Sequence, residues 1–333
     1  MAQTTLAQIR EKLKAQQAAS SKTSSPSDKA VYPHWNAAEG TTTGIRFLPD
    51  GNKDNTFFWQ ERAMIKLPFP GIKDQPDSKP VTVQVPCVEM WGEACPILAE
   101  VRPWFKAKDA TLEELGRKYW KKRSYLFQGF VRVDPLKEET PENPIRRFII
   151  GPQIFNIVKT ALLDPEFESL PTDYLAGLDF KIVKTSKGGY ADYSTSAWNR
   201  KESALTKEEQ DAIEQYGLFD LSSFLPRKPG AVELAVIKQM FDDSVDGLPY
   251  DPDKYSQYYR PIGYQGPATE VPAGIDADEE AEEPVTTAAP KAAPAAKAAP
   301  KAAPAAEAQT SGSSSDRAKG ILEMIKNRQK ASA

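Results

Sequence analysis

Histidine is almost absent from this 333-residue chain, whose only one is His34. A single imidazole leaves no second histidine for acid–base catalysis, and the sequence contains no glycine-rich phosphate loop or nucleophile elbow. Acidic pairs such as Glu113–Glu114 and Glu208–Glu209 fall in the first turns of predicted helices, where the helix dipole favours carboxylates. The spacing of Thr111 with Glu114, and of Thr206 with Glu209, predicts a capping box at the start of each helix. The sequence therefore predicts a protein that is not an enzyme.

Cysteine is also scarce, with Cys87 and Cys95 as its only representatives. Two cysteines argue against a disulfide framework and are typical of a reducing compartment. No apolar run is long enough to span a bilayer, and residues 1–17 are polar and amphipathic, unlike a signal peptide. We expect a protein of the cytoplasm that has no membrane partner.

An excess of positive charge is missing too, because the formal net charge is −3. A strongly basic chain would suggest nucleic-acid binding along its whole surface. Here any such site must be a local patch on a nearly neutral body.

The N-terminal region, residues 1–30, is predicted to be an arm and flexible linker that mediates cooperative self-association. Its first 17 residues have helical apolar spacing and flanking cations, whereas residues 18–30 are rich in Ser, Thr and Lys. The residues expected to mediate self-association are Leu6, Ile9, Arg10, Lys12, Leu13 and Lys14.

Residues 31–263 are predicted to form the folded core. Strand-like runs occupy residues 44–48, 56–66, 81–88, 124–133, 146–150 and 178–185, and they are interrupted by helical patterns such as 152–163 and 232–243. This order indicates a mainly β fold, a small barrel with helical insertions and a small helical subdomain, rather than a doubly wound sheet.

Residues 264–333 are predicted to be a disordered tail. Six carboxylates fall within residues 276–283, and an Ala/Pro/Lys-rich stretch follows at 287–306. A short basic amphipathic segment then runs from Ile321 to Lys330. A linker followed by such a segment is typical of a tethered partner-binding peptide.

Residues 117–125, Arg-Lys-Tyr-Trp-Lys-Lys-Arg-Ser-Tyr, interleave five cations with three aromatic rings. Cations neutralise phosphates, and exposed rings stack on unpaired bases, so the cluster suggests a surface for single-stranded nucleic acid. The alternative is a helix end that runs into a buried strand, with cations that are merely solvated.

Several segments, in order and spacing over residues 31–200, resemble the single-stranded DNA-binding (helix-destabilising) proteins of T-even-type bacteriophages. The matching segments are Gly44 to Pro49, Cys95 to Ile97, Arg123 to Pro135, Phe148 to Phe155 and Gly188 to Tyr193. The resemblance implies an OB-fold core, a five-stranded Greek-key barrel, that binds single strands cooperatively during phage replication, recombination and repair. It implies partners among phage replication and recombination proteins, bound through the tail, and the infected bacterial host's cytoplasm as location.

The resemblance also implies roles for individual residues. By position, phosphate contacts fall to Arg46, Lys121, Lys122 and Arg123, and charge alone adds Arg146 and Arg147. Stacking roles fall to Tyr125, Phe148, Tyr190 and Tyr193, and more loosely to Trp91, Tyr119 and Trp120.

The family's structural zinc site, one His and three Cys, is incomplete in this chain. Cys87 and Cys95 remain, but Leu98 stands where a third cysteine is expected, and His34 lies far upstream. Two thiolates alone do not make a tetrahedral zinc site, so we expect a protein without a metal or other cofactor.

Two other classes of protein compete with this interpretation. A scaffold or adaptor of a replication complex, without DNA binding of its own, would explain the arm and the tail but not the interleaved cations and rings. A metal-dependent nuclease would need carboxylates that only the fold could bring together.

Deletion of residues 1–17 should reduce cooperative coating of long single strands while leaving binding to a short oligonucleotide almost intact. The predicted helix is too short to be stable alone, so it needs a surface on which to dock, and a neighbouring copy offers one. Titrations of poly-dT and a short oligo-dT measure the two effects. Equal losses on both would instead indicate that the arm touches DNA.

Overall fold

A computed structural model gives the fold of residues 30–261, with Gly320 and Glu323 as the only positions described beyond them. The predicted arm and nearly all of the predicted tail, including the six self-association residues, lie outside the described residues. The predicted boundary of the core at residue 31 falls one position after the first described residue.

Most strands of residues 30–261 belong to one antiparallel sheet. The strands are β1 (Thr42–Phe47), β2 (Trp59–Phe69), β3 (Val81–Pro86), β4 (Lys122–Val133), β5 (Arg146–Ile150), β6 (Asp179–Val183), β7 (Thr185–Lys187), β8 (Tyr190–Asp192) and β9 (Ala197–Trp198). The hydrogen-bonded order is β3-β2-β4-β1-β6-β9; β5 pairs with β4, and β7 and β8 form a separate hairpin. The arrangement suits the strands' alternating and β-branched sequences.

The long strand β4 pairs with three others. It pairs with β2 over Lys122 to Phe127, with β5 over Tyr125 to Gly129, and with β1 from Gly129 onward. At Gly129 a Cβ would stand 2.1 Å from the carbonyl oxygen of Arg46. Only glycine lets β4 pass this close to β1, and that approach sets the register of the sheet.

The described strands do not close into a barrel. The path of pairing begins at β3 and ends at β9, and these two strands do not pair with each other. The chain has a mixed α/β fold with a mostly antiparallel, open sheet, so the predicted closed five-stranded barrel is corrected. Helical elements are also more extensive than a mainly β fold implies.

Within residues 30–261, five helices cover the sheet around two apolar cores, and a sixth packs on a smaller third one. They are α1 (Pro96–Lys106), α2 (Ala110–Tyr119), α3 (Pro152–Leu162), α4 (Lys207–Tyr216), α5 (Ala231–Val245) and α6 (Pro252–Tyr255), with 3-10 turns at His34–Asn36, Val88–Trp91 and Leu221–Phe224. One apolar core joins β2 and β3 to α1, α2, α5 and α6. A second joins β1, β4, β5 and β6 to α3.

A network of charges around the buried Arg46 joins β1, β4 and β6 to the start of α4. Asp179 accepts hydrogen bonds from Arg46 Nε at 2.7 Å and from Arg132 Nη1 at 3.0 Å. Arg132 also forms a two-bonded pair with Glu209, at 3.0 and 2.7 Å. Nη2 of Arg46 donates to the carbonyl and hydroxyl of Ser203, and Nη1 donates to the carbonyl of Asp173 at 3.4 Å. Two cations and two carboxylates therefore neutralise each other.

Replacement of Asp179 by Ala should destabilise the protein by about 3–5 kcal/mol, because Arg46 would keep a buried charge with no carboxylate beside it. Urea denaturation followed by circular dichroism measures the loss. Glu139→Ala is the control, since Glu139 is exposed and should tolerate the change. A loss for Asp179→Ala no larger than the control's would contradict this role.

Candidate nucleic-acid interface

The β7–β8 hairpin presents an exposed ring and an exposed cation at its tip. Lys187 pairs with Tyr190 across a two-residue turn, Gly188-Gly189, whose φ values of 64° and 85° lie in the left-handed region that favours glycine. Tyr190 is 46% exposed, and Lys187 is exposed as well. The hairpin thus offers a ring for stacking and a charge for a phosphate, side by side.

Gln153, in the first turn of α3, fixes the hairpin in place. Its Nε2 donates to Asp192 Oδ1 at 2.6 Å, and its Oε1 accepts from the backbone N–H of Tyr193 at 3.0 Å. Phe155 lies two residues further along α3 and points in a different direction, because successive helical residues are rotated by about 100°. The first turn of α3 therefore lies between the hairpin and the neighbours of Phe155.

Those neighbours form a row of rings, which we call the ring ladder: Trp59, Phe155 and Tyr125. Phe155 packs edge-on against Trp59, with ring centroids 5.4 Å apart, and it lies parallel to Tyr125 at 3.4 Å. Trp59 and Tyr125 stand on the same face of the sheet, because Trp59 pairs with Phe127 and side chains alternate between faces. Of the three, Trp59 is the most accessible.

Arg123 lies at the Tyr125 end of the ring ladder, on the same face. Its Nε is 3.4 Å from Glu61 Oε1, and the two side chains are 49% and 51% exposed. An exposed pair of this kind contributes at most about 1 kcal/mol, so a phosphate could displace Glu61 at low energetic cost. Burial raises the pKa of the Tyr125 phenol, and the Glu61 carboxylate adds to that effect.

The structure contradicts the phosphate contacts predicted for Arg46, Arg146 and Arg147, because all three side chains are buried. Arg46 belongs to the network around Asp179 described above. Arg146 donates to Glu138 at 3.0 Å, and the guanidinium carbon of Arg147 lies 3.6 Å from the ring centroid of Phe224. Their charges stabilise packing between elements and do not face a cleft.

The structure also contradicts stacking roles for Tyr119, Tyr125, Phe148 and Tyr193, whose rings are buried. The ring of Tyr125 is covered by Phe155, whereas Tyr119 packs against Trp104 and Phe241. Phe148 lies in the core beside Phe47, and Tyr193 contacts His34. None of these buried rings offers a free face to a base.

The remaining predicted residues lie near Arg123 or beside helix α1. Lys121 is 15% exposed and bonded to Glu89 at 2.6 Å, and Lys122 points to the opposite face of β4 from Arg123. Trp91, half-buried, belongs to the 3-10 turn whose Met90 sulfur accepts the N–H of Ala63, the residue opposite Arg123. Trp120, also half-buried, packs edge-on against Phe105 at 5.3 Å.

Sequence reasoning missed Trp59 and Lys187 as candidate contacts, and it missed Phe155 as the buried ring that supports Trp59. Trp59 ends an aromatic run, Phe57-Phe58-Trp59, which was a usable signal although the pattern does not say which ring faces outward. Phe155 had no such signal, because its neighbours depend on how α3 crosses the sheet.

Cys87 and Cys95 are both free and buried in the core under α1 and α2. The Cys87 thiol donates a hydrogen bond to Cys95, which raises the pKa of Cys87 and lowers that of Cys95. His34 lies elsewhere, between Trp35 and Tyr193. Among the described residues, no three His, Cys, Asp or Glu side chains are placed to hold a metal ion. Folding without zinc remains a prediction.

Comparison with known proteins identifies no relative: no protein-family model and no curated protein matches the sequence. Within the described part of the chain, no helix is both long and apolar enough to cross a membrane. The case for a function therefore rests on the geometry of the surface itself.

Lowering the pH from 7 to 5 should destabilise the protein by about 2 kcal/mol through His34 alone. Burial, with a smaller contribution from Lys184, lowers the pKa of His34 from 6.5 to about 4. The unfolded chain therefore takes up a proton below pH 6.5 that the native state accepts only near pH 4, so stability falls as the pH falls. Urea denaturation at both pH values, for wild type and His34→Phe, isolates this contribution. An equal pH dependence in both proteins would disprove it.

Proposed function

We propose that this protein binds single-stranded DNA without sequence preference and coats it during phage DNA replication, recombination and repair. The observation that carries the proposal is the first turn of α3. Through Gln153 it holds the hairpin that presents Lys187 and Tyr190, and through Phe155 it holds the ring ladder that ends at Arg123. The same helical turn thus supports both sets of rings and cations.

This composition suits unpaired strands for a physical reason. Stacking on a ring stabilises any base by about 1–3 kcal/mol, because every base has a flat π-face. Cations add an attraction to phosphate that does not depend on sequence and weakens with salt. In a duplex the base faces are already stacked on each other, so Tyr190 and Trp59 would gain nothing there.

The finer fold assignment belongs to the same proposal. The sheet built on β1, β4, β5 and β6, with α3 against one face, is compatible with an OB-type core that has opened rather than closed. In such a core we expect the strand to cross the β2–β4 face, where the ring ladder lies. Cooperative binding through the arm, and replication partners bound through the tail, remain proposals from the sequence.

Titration of a labelled oligo-dT, followed by fluorescence anisotropy at several salt concentrations, tests the proposal. We expect binding that weakens steeply with salt, and much weaker binding to a duplex of the same length. A scaffold would not bind either ligand, and comparable affinity for duplex and single strand would also refute the proposal. Incubation with magnesium and analysis of oligonucleotide length checks for a nuclease.

Lys187→Ala and Tyr190→Ala should weaken binding in different ways, although the two residues are neighbours in one hairpin. Loss of the cation should flatten the slope of log affinity against log salt by about 0.7, because one fewer counterion is released from a single strand. Loss of the ring should reduce affinity by about 1–3 kcal/mol with the slope nearly unchanged.

Lys79→Ala provides a matched control for these two variants. Lys79 is exposed, but it precedes β3 at the far end of β2 from Trp59. Its removal should leave both affinity and slope unchanged. If Lys79→Ala flattened the slope as much as Lys187→Ala, the attraction would come from the whole surface and not from the proposed interface.

A further inference from the structure

The loop between β1 and β2 is held in shape by one buried carboxylate. Asp50 Oδ1 accepts the backbone N–H groups of Asn52 at 3.1 Å and of Leu221 at 2.9 Å. Its Oδ2 accepts from the side-chain amide of Asn55 at 2.7 Å. A loop with this many internal hydrogen bonds is ordered before any ligand arrives.

Asn55 connects this ordered loop to the backbone of two aromatic residues. Its Oδ1 accepts the backbone N–H of Phe57 at 3.0 Å, and its Nδ2 donates to the carbonyl of Trp59 at 3.1 Å. The backbone on both sides of Phe58 is therefore fixed. Phe58 turns into the core, and Phe57 turns out of it.

Phe57 is 57% exposed, yet its ring is not isolated. It packs on Trp59, with ring centroids 4.7 Å apart and planes inclined by 32°. Trp59 continues to Phe155, so Phe57 extends the ring ladder by one ring at the end away from Arg123. The exposed part of this ring gains no burial on folding, whereas a bound ring would remove that apolar area from water.

We propose that Phe57 is a stacking site for one unpaired base, at the end of the interface opposite Arg123. Trp59, inclined by 32°, already supports one side of the ring, which leaves the other side for a flat ligand. Lys53, exposed in the same loop, is available to the adjoining phosphate. The inference rests on the proposed function and adds the point at which the bound strand enters or leaves the ring ladder.

Three substitutions at Phe57 separate stacking from simple apolar contact. For a dT oligonucleotide of about 12 nucleotides, Phe57→Ala and Phe57→Leu should each weaken binding about tenfold, whereas Phe57→Trp should keep or increase affinity. The salt slope should be the same in all, because stacking releases no counterions. Val232→Ala is the control, since Val232 is 65% exposed and lies on α5, away from the ring ladder.

The outcomes distinguish this inference from the function on which it rests. Failure of the wild type to bind the oligonucleotide would refute the proposed function itself. Wild-type binding with Phe57→Ala of equal affinity would refute only the stacking site. If Phe57→Ala bound the short oligonucleotide normally but lost cooperativity on poly-dT, the ring would contact a neighbouring protein, and the inference would be wrong. Thermal melting of each variant should match the wild type, because the ring is exposed.

Discussion

The sheet depends on Asp179, a single carboxylate that pairs with the buried Arg46 and the partly buried Arg132. Arg46 comes from β1, Arg132 from β4 and Asp179 from β6, so the three strands can pair in register only if the three side chains meet. Glu209 then ties α4 to the same point. Buried ion pairs stabilise little on balance, but a wrong pairing would leave a charge unneutralised, and that penalty is large. The network therefore contributes more to the choice of one strand arrangement than to the stability of that arrangement.

In the candidate interface, buried rings fix the position of the groups that are exposed. Phe155 and Tyr125 are stacked too tightly to admit a base, yet they fix the position of Trp59 and of the strand that carries Arg123. Contacts to a ligand are most effective when the contacting groups do not have to be ordered on binding. Rings beneath the surface supply that order, and only the outermost rings remain for a base.

Several elements could be predicted from the sequence because their signals are local. The strand at 146–150 and the helix from Pro152 have the predicted bounds within one residue, and the capping box of Thr206 and Glu209 is confirmed. The box expected at Thr111 is wrong, because Asp109 caps α2 two residues earlier. Helix α1 was missed, since its apolar spacing follows an irregular loop and includes Pro103.

The phosphate contact predicted for Arg46 was wrong for a different reason. A cation next to apolar residues predicts exposure only if no carboxylate distant in sequence reaches it. Asp179 is 133 residues from Arg46, and no local pattern brings them together. The exposure of Tyr190 could be predicted because Gly188 and Gly189 specify a turn within four consecutive residues. The role of a charged residue is thus hard to predict from sequence when the residue that neutralises it lies far away along the chain.

Strand β2 passes from one apolar core into the other. Its first half pairs with β4 beside the ring ladder, and its second half pairs with β3 under α5. Ala63, Ile65, Leu67 and Phe69 of β2 belong to the first core, and Trp59 at its start packs against the second, so a cut within β2 would disturb both. A protease that cut β2 would therefore destabilise both cores at once. Limited digestion of residues 31–261 should either trim the ends or degrade the whole region.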